Sequence, residues 1–326
     1  MMPMASQQFN WQPKRSYILW LALLVVAVYA VLPQFGSFRN SLSLVRHATL
    51  GWLLIGVACV AMTYVLAAIT YSVLACRPLR YGQTLLVQVG GMFADRLLPA
   101  GIGGIGANYA YLRRSKHSPT QAVSVVTANN LLGFMGHLLV TVIIVSFGYQ
   151  KLRGLHWAWH IPARRWQFVA LAFVAAVLLI VALRFGPQVK RGLMGVLREL
   201  AGYRQRPVSL FAGLTSSISL TLMNVLSLYC CARALGAPVS LVTVLLIFGV
   251  GIAVGTATPT PGGIGGIEAG LVAGFVAVSL SPAEALAFVL LYRIISYWLA
   301  LIAGIPAFFV ALHRGYFSFH KDVPAS

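Results

Sequence analysis

Acidic side chains are nearly missing from this chain of 326 residues, which carries five Asp and Glu against 24 Lys and Arg. Asp95, Glu199, Glu268, Glu284 and Asp322 are scattered, so the clustered carboxylates or metal site that acid–base or metal-assisted catalysis uses are not in evidence. Cysteine is scarce as well. Cys59, Cys76, Cys230 and Cys231 fall in or at the ends of apolar runs without metal-ligand spacing and read as small packing residues. No metal and no cofactor is expected. Charged residues make up only 9% and hydrophobic ones 59%, which leaves too little polar surface for a soluble domain. The solvent of this chain is lipid.

What is present are apolar runs long enough to cross a bilayer, which takes roughly 20 residues per helix. They lie at Ser16 to Leu32, Trp52 to Cys76, Ala122 to Phe147, Trp166 to Leu183, Val208 to Leu235 and Ala283 to Ala311. The runs are continuous rather than alternating, which predicts helices and not barrel strands. The first is longer than a signal-peptide core and is expected to stay as an anchor. The last is long for one crossing and is expected to tilt, or to break at Gly304 and Pro306.

Between these runs two words recur. Pro99-Ala-Gly-Ile-Gly-Gly-Ile-Gly-Ala is followed by Ser118-Pro-Thr-Gln-Ala, and Pro261-Gly-Gly-Ile-Gly-Gly-Ile-Glu-Ala by Ser281-Pro-Ala-Glu-Ala, at nearly the same spacing. Paired Gly/Pro-interrupted segments in two halves of a membrane chain point to a substrate site between broken helices. The net charge of +19 follows the positive-inside rule rather than nucleic-acid binding. A cytoplasmic N-terminus and a segment from Tyr81 to Leu112 that dips in and returns put Arg77, Arg80, Arg113, Arg114, Lys116 and Arg314 on the inside. The second glycine segment then enters from the opposite face. The expectation is an all-α polytopic membrane protein in the cytoplasmic (inner) membrane, with both termini cytoplasmic. It has about six full transmembrane helices plus two re-entrant glycine-rich helical hairpins in an inverted repeat, eight full spans being the alternative. In residues, this is one membrane domain over 1–326, with repeat cores at 81–147 and 239–311. The stretch 184–206 is an amphipathic helix on the cytoplasmic surface, or else a solvated linker helix.

Gly101-Ile-Gly-Gly-Ile-Gly106 spells the dinucleotide fingerprint, but its flanks are membrane helix and the residues after it are basic, so that reading fails. The glycines Gly101, Gly103, Gly104, Gly262, Gly263, Gly265 and Gly266 let the backbone bend and expose N–H groups. Pro99, Pro259 and Pro261 break helices there, which favours a lipid path over close packing alone. Ionisable groups at membrane depth are candidate functional residues. Asp95 and Arg96 adjoin the first motif, and their side chains should diverge. Glu268 lies inside the second, and Arg293 needs a carboxylate partner, for which Glu268 is the nearest. That pair either meets a lipid head group or only pins the hairpin. Asn108 and Asn130 are the polar groups left to the first repeat. Asn130 stands where Arg293 does in the second repeat, and Gly106 where Glu268 does. Asn129 and Asn130 could equally bond between helices, His137 reads as packed, and His156 to His160 as an interface anchor.

The second glycine word, Ser281-Pro-Ala-Glu-Ala and Leu291-Tyr-Arg-Ile-Ile-Ser-Tyr-Trp together resemble the signature of the lysylphosphatidylglycerol synthase transmembrane region family, the flippase-like domain. The resemblance implies a polytopic inner-membrane protein, and in the synthase this region is associated with moving an aminoacylated phospholipid between leaflets. Glu268 and Arg293 match the family pattern. Many members also carry an acid and an arginine where this chain has Gly106 and Asn130. The aminoacyl-transferase domain of the full synthase has no room before Ser326, so no enzymatic activity is expected. Two functions follow: a translocator of polar or anionic lipids, or an accessory subunit or enzyme in lipid-linked glycan or phospholipid modification. Membrane lipids are the expected partners, with a homo-oligomer or a separate enzyme possible and nucleic acid excluded.

Overall fold

The computed structural model describes residues 48–97, 102–152, 203, 206–258 and 260–317. Among them every regular element is helical, and the chain is an all-α polytopic membrane protein. The elements are α1 (Leu50–Leu74), α2 (Tyr81–Leu97), α3 (Ile102–Arg114), α4 (Pro119–Leu152), α5 (Pro207–Ala234) and α6 (Leu241–Ala257). After a 3-10 turn (Pro261–Gly263) come α7 (Gly266–Ala277), α8 (Pro282–Arg293), a π-helical turn (Ile294–Leu299) and α9 (Ala300–His313). The predicted runs Ser16 to Leu32 and Trp166 to Leu183, the His156 to His160 anchor, and the 184–206 stretch except Tyr203 and Arg206 lie outside the described residues.

Among the described residues four helices are long and apolar enough to cross a membrane: Leu50–Leu74, Pro119–Val140, Pro207–Ala234 and the continuous Pro282–His313. The last corrects one expectation, because the helix runs unbroken past Gly304 and Pro306 and its irregularity is the π turn at Ile294–Leu299. Gly304 serves packing instead: a Cβ there would stand 3.0 Å from the Phe93 Cβ on α2. A proline inside a membrane helix is tolerated where local π adjustments re-satisfy the freed backbone groups.

The second recurring word has a local cause. Ser281 Oγ accepts from the Glu284 N–H at 3.3 Å while Glu284 accepts from the Ser281 N–H at 3.0 Å. Ser118 and Gln121 exchange the same two bonds at 3.2 and 3.0 Å. Both are capping boxes with proline at the first helical position. They start α4 and α8, the long helices that follow each hairpin.

Small and hydroxyl-bearing residues decide which helices lie closest. α1 and α5 share the most extensive interface, where Gly56 faces Ser227 and Cys230 at van der Waals distance. Thr70 donates to Ser216 Oγ at 2.9 Å, and Ser216 in turn donates to the Leu66 carbonyl at 2.8 Å. Such contacts replace the hydrophobic drive that lipid cannot supply. The three buried cysteines, Cys59, Cys230 and Cys231, pack here as small residues. The order of elements recurs as α1–α4 and α5–α9, and the helix pairs in contact recur with it: α2 on α3 as α6 on α7, α3 on α4 as α7 on α8, and α9 on α2 as α4 on α6.

Hydrogen bonds sort the loops into two ends of the bundle. At one end the Arg77 N–H donates to His117 Nε2 at 3.2 Å, Tyr203 donates to the Leu74 carbonyl at 2.8 Å, and the Tyr111 and Tyr316 rings meet at 5.7 Å. At the other end the Thr49 N–H donates to the Ala234 carbonyl at 2.9 Å. There Ala237, Val239 and Phe275 share one apolar cluster with Val278 and Leu280. The α2–α3 hairpin therefore opens at the first end and the α6–α7 hairpin at the second. Among the described residues Arg77, Arg80, Arg113, Arg114, Lys116, Arg206 and Arg314 gather at the first end, and Arg233 stands at the second.

His117 ties two loops of the first end together. Its Nε2 accepts from Arg77, so Nδ1 carries the proton and donates to the Leu112 carbonyl at 3.2 Å. Burial, with a smaller contribution from the Arg77 charge, holds the imidazole below its usual value near 6.5. The unfolded chain then binds the proton first as pH falls. This contribution to stability is whole above about pH 6.5 and is lost on descending toward the lowered folded value. Thermal melting in detergent should show wild type losing stability from pH 7 to pH 5 and His117→Gln losing less. Parallel curves would contradict the assignment.

Candidate functional site

The second hairpin turns between α6 and α7 through left-handed backbone. Gly262 has φ 61°, and a Cβ on it would press on the Tyr297 ring 2.5 Å away, so both conformation and space call for glycine there. Glu268, in the first turn of α7, reaches back to accept from the Gly265 N–H at 2.7 Å. Its other oxygen accepts from Arg293 Nε at 2.6 Å. Arg293 also donates to the Gly262 carbonyl at 3.2 Å and lies over the Tyr297 ring, 4.7 Å from its centre. The predicted partners do meet, and the pair joins the hairpin turn to the start of the π turn. Arg293 is only 7% exposed, and these contacts turn its guanidinium toward protein groups.

The first hairpin uses different parts for a similar closure. Gly103 lies against α2 so closely that a Cβ would overlap the Ala94 carbonyl. Asp95 Oδ1 accepts from the Gly104 N–H at 3.2 Å, covering one of the free donors at the start of α3. Arg96 points elsewhere, as adjacent helical side chains should. It donates to the Ser296 carbonyl at 2.7 Å and lies over the Tyr297 ring at 4.6 Å. Residues near both hairpin turns thus converge on Tyr297, in the middle of the long last helix. Sequence reasoning quoted Tyr297 within a motif without giving it a role, although an aromatic ring one helical turn from Arg293 is a ready cation–π partner.

Beside the first hairpin lies a cavity of about 640 Å³, walled by α1, α2, α3, α4, α5 and α6 with Tyr292 of α8. Of the sequence-predicted residues, Asp95, Gly104, Asn108 and Asn130 line it. Arg96, Gly103, Glu268, Arg293, Gly262, Gly263, Gly265 and Gly266 are not among its lining residues. Pro99, Gly101 and Pro259 lie outside the described residues, and Pro261 opens the 3-10 turn. Asn129 and His137 also face the cavity. Sequence reasoning missed Gln88, Asn224 and Thr221, which line it from α2 and α5. Their only sequence signal is amide or hydroxyl character inside apolar helices. Among the described residues no group of three or more His, Cys, Asp or Glu stands close enough to hold a metal ion.

The cavity wall is internally bonded. Gln88 Nε2 donates to Asn108 Oδ1 at 2.7 Å, and Asn108 Nδ2 donates to the Gly104 carbonyl at 2.9 Å. Asn108 therefore braces α2 against α3 and presents a fixed amide to the cavity. Over residues 19–304 the chain matches the family described as the lysylphosphatidylglycerol synthase TM region. No curated protein matches it.

Proposed function

The chain belongs to the lysylphosphatidylglycerol synthase TM region family, a membrane-lipid connection from which we propose that it moves a polar-headed lipid between the leaflets of the cytoplasmic membrane. One observation carries the proposal: a cavity with amide and hydroxyl side chains in its wall sits at the side of a hairpin whose counterpart opens at the opposite end of the bundle. In this reading the hairpins are re-entrant. Their helices have 17 and 13 residues in the first and 17 and 12 in the second, shorter than the roughly 20 that a full crossing takes. Irregular backbone at membrane depth is tolerated where it is buried or lines a cavity. Hairpins opposed in this way suit alternating access of one cavity to two leaflets.

The cation-rich end is cytoplasmic in this reading, by the positive-inside rule. Single cysteines at Arg114 and Pro238, both exposed, should then label with a membrane-impermeant maleimide from the cytoplasmic and the outer side respectively. Labelling of both from one side would overturn the opposed hairpins. The role itself is not enzymatic in this proposal. Asp95 is the one carboxylate lining the cavity among the described residues, so a pair of carboxylates for acid–base chemistry is not found there.

The direct test reconstitutes the full chain in liposomes with acyl-labelled lipids and adds a membrane-impermeant reductant. Inner-leaflet label should become accessible at a rate that grows with protein content. A panel of anionic, zwitterionic and neutral lipids in which none moves faster than in protein-free vesicles would overturn the translocator reading.

A further inference from the structure

Resting on the translocator reading, we infer that the cavity selects a lipid with an uncharged, polyhydroxyl head group of the sugar type over one that presents a phosphate. The lining chemistry points there. Gln88, Asn108, Asn129, Asn130 and Asn224 bring five amide side chains to one space, and Thr221 adds a hydroxyl. Each amide offers both donors and an acceptor, the mixed pattern that a ring of sugar hydroxyls matches and a phosphate, an acceptor only, does not.

The existing bonds leave capacity for a ligand. Gln88 spends its amide nitrogen on Asn108, and Asn130 accepts a long bond of 3.5 Å from Asn129. The Gln88 carbonyl oxygen and the Asn130 amide nitrogen have no bond among the described residues. One is an acceptor and one a donor.

Charge argues the same way. Asp95 is the single charged residue lining the cavity among the described residues. Arg96 and Arg293 are turned to the Ser296 carbonyl, Glu268 and the Tyr297 ring. A phosphate in this space would face a carboxylate with its charge desolvated, and burying an unpaired charge is costly. A neutral polyol loses only water bonds that the amides replace. Apolar Met92, Ile105, Phe248 and Ile252 complete the wall and suit the edge of a glycerol-linked acyl chain better than a free sugar.

The test compares four probes with the full chain in liposomes. Acyl-labelled glucosyl-diacylglycerol, phosphatidylglycerol and phosphatidylethanolamine are followed by reductant bleaching, and free labelled glucose by efflux. The expected result is movement of the glucosyl lipid about tenfold faster than either phospholipid, the worth of one or two hydrogen bonds. Asn130→Ala, at an exposed position bonded among the described residues only by the long contact from Asn129, should narrow that ratio while keeping the fold. Phospholipids moving as fast as the glucosyl lipid or faster would overturn this inference and leave the translocator reading standing. If no lipid moves, the translocator reading itself fails. Efflux of free glucose without movement of the glucosyl lipid would keep the polyol chemistry and overturn the lipid as its source.

Discussion

Arg293→Met should lower the stability of the folded chain by about 3 kcal/mol, the lower end of the cost of removing one partner of a buried ion pair, because Glu268 is itself partly exposed. The loss has three sources in the geometry. Glu268 keeps its charge at the hairpin turn without its 2.6 Å partner, the Gly262 carbonyl loses a donor, and the Tyr297 ring loses a guanidinium. Glu268→Gln keeps an acceptor for Arg293 Nε but loses the bond from the Gly265 N–H and leaves the guanidinium without a counter-charge, so it too should destabilise the hairpin. The double variant Glu268→Leu, Arg293→Met should recover part of the loss, since neither charge then remains buried. Cys59, Cys230 and Cys231 are buried, so a thiol-reactive dye reports unfolding in detergent directly. Equal melting of wild type and Arg293→Met would show that the pair does not hold the second hairpin.

Gly103→Ala should be nearly as damaging, although it adds one methyl group. That methyl would overlap the carbonyl of Ala94 and crowd the backbone nitrogen of Asp95, and neither can rotate away as a side chain could. The hairpin must open, at a cost of about 1–3 kcal/mol or more for overpacking of this kind. Opening also pulls Gly104 away from Asp95 and Asn108 away from Gln88, and so deforms the cavity wall. Lipid movement should therefore fall together with melting temperature. Gly133→Ala is the contrast: a Cβ there meets nothing within 4 Å, and alanine is favoured over glycine in a helix by about 1 kcal/mol. That variant should melt no lower than wild type. Equal behaviour of the two substitutions would refute the close approach of α2 and α3.

These two positions also mark how far the sequence could be read. The glycine words and the Glu268–Arg293 pair were legible because charge and helix-breaking residues are rare in apolar sequence, so each one stands out. Four of the six predicted long runs appear as long apolar helices, since length and continuity suffice to find them. The capping boxes at Ser118 and Ser281 were visible as a repeated word, and their role became clear only from the bonds. The cavity was not legible. Its wall draws on residues from Ala67 to Tyr292, on seven helices, and no spacing in the chain announces that they share a space. Charge marks out the second hairpin in the sequence, whereas the cavity lies at the first, built from amides that look like ordinary interhelical glue. Tyr297 was hidden for the opposite reason. Its neighbours Arg96 and Arg293 are 4.6 and 4.7 Å from the ring centre, yet Arg96 comes from the other repeat.

In the proposed mode of action the lipid head group passes through the cavity beside the first hairpin. Gly133 lines that cavity and has open space where a side chain would begin, so Gly133→Trp fills the path without displacing a neighbouring helix at its root. The decisive measurement is the rate at which inner-leaflet labelled lipid becomes accessible in liposomes holding Gly133→Trp, beside wild type of matched melting temperature. A stable variant that moves no lipid is the predicted result; a stable variant that moves lipid at the wild-type rate would contradict it.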